Sequence, residues 1–407
     1  PPLVASDYVT LSAPEALFIV SSRIQITTTH LRFCRVRTSH TGFDGQFHCR
    51  SRPASARALA KIGDVRQTCA MQEFSQSPTD PPFVQNPYPF YEKARAAGDF
   101  IWWTDYDMAC AVSHKMVHAV LRDRRMGREC PPELAPDIPE HLAPFYNVEA
   151  HSMLELEPPR HTRLRALVLR AFTSRTIAAL APDIRALCHA LIDAFPAEPF
   201  DLLTHYAQPV PVVIISRLLG VPEERADDLV RWSNAMVAMY QARRTPQIEA
   251  DAIAATDDFV TFMRGYIAQR RKTPANDLIS TLIAAEEHGE KLTEDELITT
   301  CILLLNAGHE ATVHTLGNGT KTLLEHGVTD ITEAAVEEVI RFDPPLHMFT
   351  RWVYEDVTLG AHQFKRGDQI ACLLAAANRD SLAYENPALF NPARKGPQNT
   401  TFGGGIH

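Results

Sequence analysis

The stretch TEDELITTCILLLNAGHEATVHTLGNGTKTLLEH, residues 293–326, decides the fold. It opens on Thr293 with Glu296 three positions on, the spacing of a capping box, and Gly327 follows its end. At about 1.5 Å per residue such a helix runs roughly 50 Å, the span of a whole domain. Its middle, Cys301–Leu305, is apolar on every side, which predicts burial.

Working outward, amphipathic helices are expected over Pro89–Ala97, His161–Phe172, Thr176–Phe195, Pro209–Leu219, Pro222–Tyr240, Gln247–Arg271, Asp277–His288 and Ile331–Phe342. Phe100–Thr104 and Met108–Ser113 flank Asp105-Tyr106-Asp107 and read as a hairpin. Further strands are expected at Met348–Tyr354, Val357–Leu359 and Gln369–Leu374. Pro131–Pro144 holds five prolines and reads as a loop, as does the Pro-, Gly- and Asn-rich stretch from Asn378 onward. The pattern is one mainly α domain with a small β portion, spanning 71–407.

The 407 residues are 45% hydrophobic and 22% charged, enough for a large core. The net charge of −9 argues against a general nucleic-acid binder. Residues 1–70 differ from the rest, with nine Lys/Arg against four Asp/Glu. Their Arg/Ser/Thr bias fits either an organellar transit peptide or a non-native, disordered leader, and the second is preferred because helical periodicity is poor there. The eight cysteines (Cys34, Cys49, Cys69, Cys110, Cys130, Cys188, Cys301 and Cys372) include no C-x-x-C pair, so reduced thiols are expected rather than a zinc site or disulfide scaffold. The longest apolar run, Leu11–Val20, is interrupted by Pro14 and Glu15, so no membrane anchor is expected and the cytoplasm is the expected location.

Several segments carry chemistry. Ala307-Gly308-His309-Glu310-Ala311-Thr312 places a glycine in mid-helix, at a cost of about 1 kcal/mol relative to alanine, which suggests close approach of another body such as a flat cofactor. Glu310 and Thr312 are polar groups in an apolar helix and need partners or a task. His309 and His314 approximate a zinc H-E-x-x-H motif but stand five apart, which puts them some 140° apart around the helix, so no metal site is expected there. Glu338 and Arg341 form an E-x-x-R pair on one helical face, and Arg394 in Phe390-Asn391-Pro392-Ala393-Arg394 is placed to complete a Glu–Arg–Arg network.

In this order, and ahead of Phe402-Gly403-Gly404-Gly405-Ile406-His407, these segments resemble the cytochrome P450 family over roughly residues 87–407. Its A/G-G-x-D/E-T pattern matches Ala307, Gly308, His309 and Glu310. Its E-x-x-R matches Glu338 and Arg341, with Arg394 as the loop arginine. Its F-x-x-G-x-H-x-C loop matches Phe402, Gly405 and His407, and its H-x-x-x-R matches His161 and Arg165. The resemblance implies haem b, with propionates held by His161, Arg165, Arg351 and His407, and an iron held by a cysteine thiolate. It implies insertion of one oxygen atom from dioxygen into an apolar small molecule, with Glu310 and Thr312 as catalytic proton-handling groups. Electrons would come from a ferredoxin and its reductase. The basic face of Arg160, Arg163, Arg165 and Arg170 would suit an acidic partner. Leu305, Leu346 and Phe349, with the loop at Phe145 and Tyr146, are the expected pocket walls.

Two departures stand out. The family's cysteine falls two places after His407, so the sequence is expected to be C-terminally incomplete and, as written, inactive; no metal ligand is assigned within it. The family's threonine after the helix acid is Ala311 here, and Thr312 is turned about 100° away. The competing expectation is a non-catalytic ligand-binding protein of the same fold.

Overall fold

The computed structural model describes residues 71–407 apart from 173, 242–243 and 286–288, together with Ile24–Gln25, which pair with Asp330–Ile331. The expected leader, residues 1–70, thus lies almost wholly outside the described residues.

The helices that build the site are α1 (His114–Arg122), α2 (Ala143–Glu149), α3 (Arg160–Ala171), α4 (Pro209–Leu219), α5 (Ala226–Val237), α6 (Pro246–Lys272), α7 (Glu294–Glu325) and α8 (Glu333–Phe342). The 32-residue α7 starts as its sequence demands. Glu296 N–H donates to Thr293 Oγ1 at 3.2 Å, and Thr293 N–H returns to Glu296 Oε2 at 2.9 Å. Such caps stabilise a helix by about 1 kcal/mol. At the other end Gly327 takes φ +63°, and Val328 N–H reaches back to the Leu323 carbonyl at 2.9 Å.

Helices α2, α4, α5, α6 and α7 bury one continuous core around Phe145, Leu219, Trp232, Met236, Phe259, Met263, Cys301 and Leu305. Each such side chain contributes about 1.5–3 kcal/mol on burial. No described helix is long and apolar enough to cross a membrane.

The β portion is a six-stranded sheet of β1 (Gln72–Phe74), β2 (Phe100–Trp103), β3 (Met108–Ala111), β4 (Met126–Gly127), β5 (Met348–Val353) and β8 (Gln369–Leu373), in the order β1-β2-β3-β8-β5-β4. β6 (Val357–Leu359) and β7 (His362–Phe364) form a separate hairpin. Ile370 is the joint of the sheet: it pairs with Ala109 in parallel and with Arg351 antiparallel. This fixes β5, and with it Phe349 and Arg351, against the N-terminal part of the domain.

Sequence expectation and structure differ where proline acts. The Pro131–Pro144 loop contains two 3-10 turns and leads into α2, with proline in the opening positions of the first 3-10 turn and of α2, and Pro139 capping the second 3-10 turn. The expected helix over Thr176–Phe195 is two, Ser174–Ala179 and Ala181–Asp193, the second again opening on a proline. Pro222–Tyr240 is α5 flanked by two 3-10 turns.

Candidate functional site

One face of α7 forms the wall of an apolar cavity. Its lining residues, Thr299, Ile302, Leu303, Asn306, Ala307, Glu310 and Ala311, recur every three or four positions, as a single helical face must. Pro345, Leu346 and Phe349 close the opposite side. Glu149 at the end of α2, Ser152, Leu154, Val237 and Tyr240 close a third side.

Four sequence assignments change here. Leu305 is fully buried in the helical core and does not line the cavity, because it projects from the other side of α7 than Ala307. Phe145 is likewise a core residue. Thr312 is off the cavity face: the lining positions are 310 and 311, and the next residue is turned about 100° onward. Glu310 does face the cavity, with its Oε2 3.3 Å from His314 Nε2. Gly308 also changes meaning. A Cβ there would sit 2.9 Å from Cδ1 of Ile215 on α4, so its smallness serves a helix–helix approach, while Ala307 beside it faces the open space.

His309 points away from the cavity: it is 1% exposed, and neither ring nitrogen has a hydrogen-bond partner among the described residues. Burial lowers its pKa. With His314 beside Glu310, the two histidines of α7 do not converge, and no group of three or more metal-competent side chains occurs among the described residues. Cys301 and Cys372 are fully buried, and burial pushes both thiols up to about 12, far from thiolate chemistry.

Below Phe349 lies a buried basic cluster. Arg351 shares a face of β5 with Phe349, two positions away, and is only 2% exposed. Its Nη1 donates to the Thr350 carbonyl at 2.9 Å. Burial, then the neighbouring Arg128, depress its pKa to about 10. Arg128 is itself buried; its Nη2 lies 2.5 Å from Glu155 Oε1, and its guanidinium sits 5.6 Å from the centre of the Phe349 ring. His161, on the buried face of α3, packs its ring 4.5 Å from that of His407. Its Nδ1 has no partner among the described residues, and burial, then His407 and Arg165, push its pKa down to about 4. His407 Nε2 lies 2.8 Å from Glu157 Oε1, which also accepts the Arg128 backbone N–H at 2.6 Å. Burial acts to raise Glu157, but the His407 and Arg128 hydrogen bonds outweigh it and its pKa falls. Arg165 is exposed and donates to the Ile406 carbonyl at 3.0 Å.

The loop leading to His407 is tightly fixed. Thr400 Oγ1 donates to the Leu374 carbonyl at 3.1 Å, and Thr401 Oγ1 to the Ile340 carbonyl at 2.9 Å. With both threonines turned inward, Phe402 faces outward and is 71% exposed. Gly405 has φ +86°, and a Cβ would lie 2.3 Å from the Leu121 carbonyl oxygen of α1, so only glycine fits.

The remaining trio meets as its spacing suggests. Arg341 donates to both Glu338 oxygens, at 2.7 and 2.8 Å, and Arg394 Nε reaches the same carboxylate. The network ties α8 to the loop that follows the sheet.

Set against known proteins, the chain matches the family described as Cytochrome P450 over residues 100–327 and 329–404. It belongs to the cytochrome P450 family. Cytochrome P450 monooxygenase PikC of Streptomyces venezuelae is 33% identical over 351 residues, covering 80% of this chain and 79% of that one. Among solved structures, P450BioI in complex with hexadec-9Z-enoic acid ligated acyl carrier protein superposes with a TM-score of 0.75 at 30% identity, over 80% of this chain and 86% of that one. The bacillaene polyketide synthase cytochrome P450 PksS of Bacillus subtilis gives 0.71 at 32%, over 82% and 86%. The fold is therefore the cytochrome P450 fold, and the protein is an oxidoreductase of the monooxygenase class.

A cytochrome P450 works with haem, and the residues present fit one. Among the described residues Arg351 is a buried cation with no carboxylate paired to it, and His161 keeps a buried ring nitrogen unsatisfied. Two propionates would supply what both lack. Sequence reasoning missed Arg128, Glu149, Glu157 and Tyr240. Arg128 and Glu157 stand outside every motif, and only the fold brings them to the cluster.

Proposed function

We propose that this cytochrome P450 binds haem b and inserts one oxygen atom from dioxygen into an apolar small molecule, by hydroxylation or epoxidation. Its electrons come from a ferredoxin served by a ferredoxin reductase. The observation that carries this reading is the adjacency of two unlike sites: an apolar cavity, and a buried cationic cluster joined to it through Phe349.

In this reading His161, Arg165, Arg351 and His407 hold the propionates. Haem, when bound, supplies the activation of dioxygen. Ala307 keeps the wall of α7 low beside the cofactor. Leu346 and Phe349 press the substrate's apolar surface and exclude water. Glu310 holds and moves a proton at its carboxylate, steadied by His314. Ala311 contributes no hydroxyl, so proton delivery falls to Glu310 and to water. Glu338, Arg341 and Arg394 position the loop and do not meet substrate. The protein works in the cytoplasm beside its ferredoxin.

The test is to take the protein carrying the cysteine that the family places two positions after His407, load it with haem b, supply ferredoxin, reductase and isotopically labelled dioxygen, and screen apolar terpenes, fatty acids and steroids. One labelled oxygen atom per product is the expected result. Ligand binding with no labelled product from any of them would instead mark a binding protein of this fold.

A further inference from the structure

The cavity is mostly apolar, and besides Glu310 on α7 it carries a second carboxylate at one end. There the Glu149 carboxyl, at the C-terminus of α2, faces the space and hydrogen-bonds the hydroxyl of Tyr240. The charged groups around it are Glu155 and Arg128. Arg128 is drawn to Glu155, with Nη2 2.5 Å from Oε1, so the partner bonded to Glu149 is a neutral phenol. Counted by formal charge, this end of the cavity holds two carboxylates and one guanidinium, an excess of one negative charge. A buried carboxylate of this kind is costly unless a cation meets it. Of the other polar groups on the walls, Ser152, Thr299 and Asn306 are neutral, and the Glu310 carboxylate already has His314 Nε2 3.3 Å from its Oε2.

We propose that Glu149, positioned by Tyr240, is the specificity anchor of this cavity and selects apolar substrates that carry one basic amino group. The proposal rests on the reading of the cavity as the substrate site. The ammonium docks against Glu149, and the apolar body extends along Leu303, Ala307 and Ala311 toward Leu346 and Phe349. Burial, and then the charge of Glu155, push the Glu149 carboxyl up to about 7, against the lowering pull of Tyr240 and Arg128. The anchor is therefore charged above neutrality and loses its charge below it.

The test uses haem-loaded protein and two probes of one shape, dodecyltrimethylammonium below its micellar concentration and dodecanol, titrated by calorimetry. The ammonium is charged at every pH and cannot ligate iron, so any pH effect on its binding reports on the protein. The readout is the ratio of the two affinities, which cancels general damage to the cavity. At about pH 8 the wild type is expected to prefer the ammonium by at least about tenfold. In Glu149→Gln the ratio falls severalfold, and in the wild type it falls as the pH is lowered to about 6. Equal affinities in the wild type, or a ratio unchanged in Glu149→Gln, would overturn the anchor while leaving the cavity reading intact. Failure of both probes to bind would overturn the cavity reading and the anchor with it.

Discussion

Arg394 donates through Nε to both oxygens of Glu338, at 3.1 and 3.3 Å, although the two residues lie in different parts of the chain. Arg341 holds the same oxygens from the opposite side, and the Asn391 backbone N–H adds a bond at 2.9 Å. Burial acts to raise Glu338, but these donors outweigh it and lower its pKa. Removing one cation leaves a buried carboxylate short of partners. Arg341→Ala is expected to cost about 3–5 kcal/mol of stability. Arg394→Lys keeps the charge but cannot reproduce the bonds to Glu338 and to the Leu389 and Asn386 carbonyls, and should cost less. Urea unfolding of both variants checks the order; equal midpoints for Arg341→Ala and the wild type would refute it.

Gly308 and Ile215 give a second test. The Cβ of Gly308→Ala would meet only the far methyl of Ile215, which can move, and alanine favours helix by about 1 kcal/mol, so a change within about 1 kcal/mol is expected. Gly308→Val adds branches that crowd the Ile215 side chain further and should cost about 1–3 kcal/mol. Pairing Gly308→Val with Ile215→Ala should recover part of that loss. Additive effects in this double-mutant cycle would place the glycine against some other body.

Much of this was legible in the sequence because the signals are local. The capping box at Thr293 and Glu296, the proline-bounded helices and the E-x-x-R pair each rest on neighbours in the chain, and the structure has them. Leu305 shows where local pattern ends. In a segment apolar on all sides, periodicity cannot say which face meets a cavity. Phe402 shows another limit: a motif gave its position, but the inward bonds of Thr400 and Thr401 set its direction. Glu149 with Tyr240, and Arg128 with Glu155, were invisible because folding alone brings them together.

His161 makes stability depend on pH. Unfolded, it takes a proton near the ordinary histidine value of about 6.5; folded, it resists protonation down to about 4. The folded pKa is the lower one, so the contribution to stability is complete above about 6.5 and is lost as pH falls toward 4. Haem-free wild type should therefore lose stability between those values more steeply than His161→Asn. Loading with haem, whose propionates would meet the same ring, should flatten the slope as well. Parallel denaturation midpoints for wild type and variant across this range would contradict the assignment.

Ala311 and Thr312 carry the last prediction. The cavity wall runs through Ala307, Glu310 and Ala311, so the only hydroxyl in the Ala311–Thr312 pair stands off that wall. Ala311→Thr would place a hydroxyl on it, one residue from Glu310. Thr315 Oγ1 in this helix bonds backward one turn to the Ala311 carbonyl at 2.7 Å, and a hydroxyl at 311 held in the same way would keep one orientation. A fixed hydroxyl beside the acid gives protons a shorter route than water alone. The expected outcome is less peroxide released per electron donor consumed in Ala311→Thr than in the wild type, with Thr312→Ala close to wild type because its hydroxyl does not reach the cavity. A leak unchanged or higher in Ala311→Thr, or a large rise in Thr312→Ala, would show that the working hydroxyl is the one at 312.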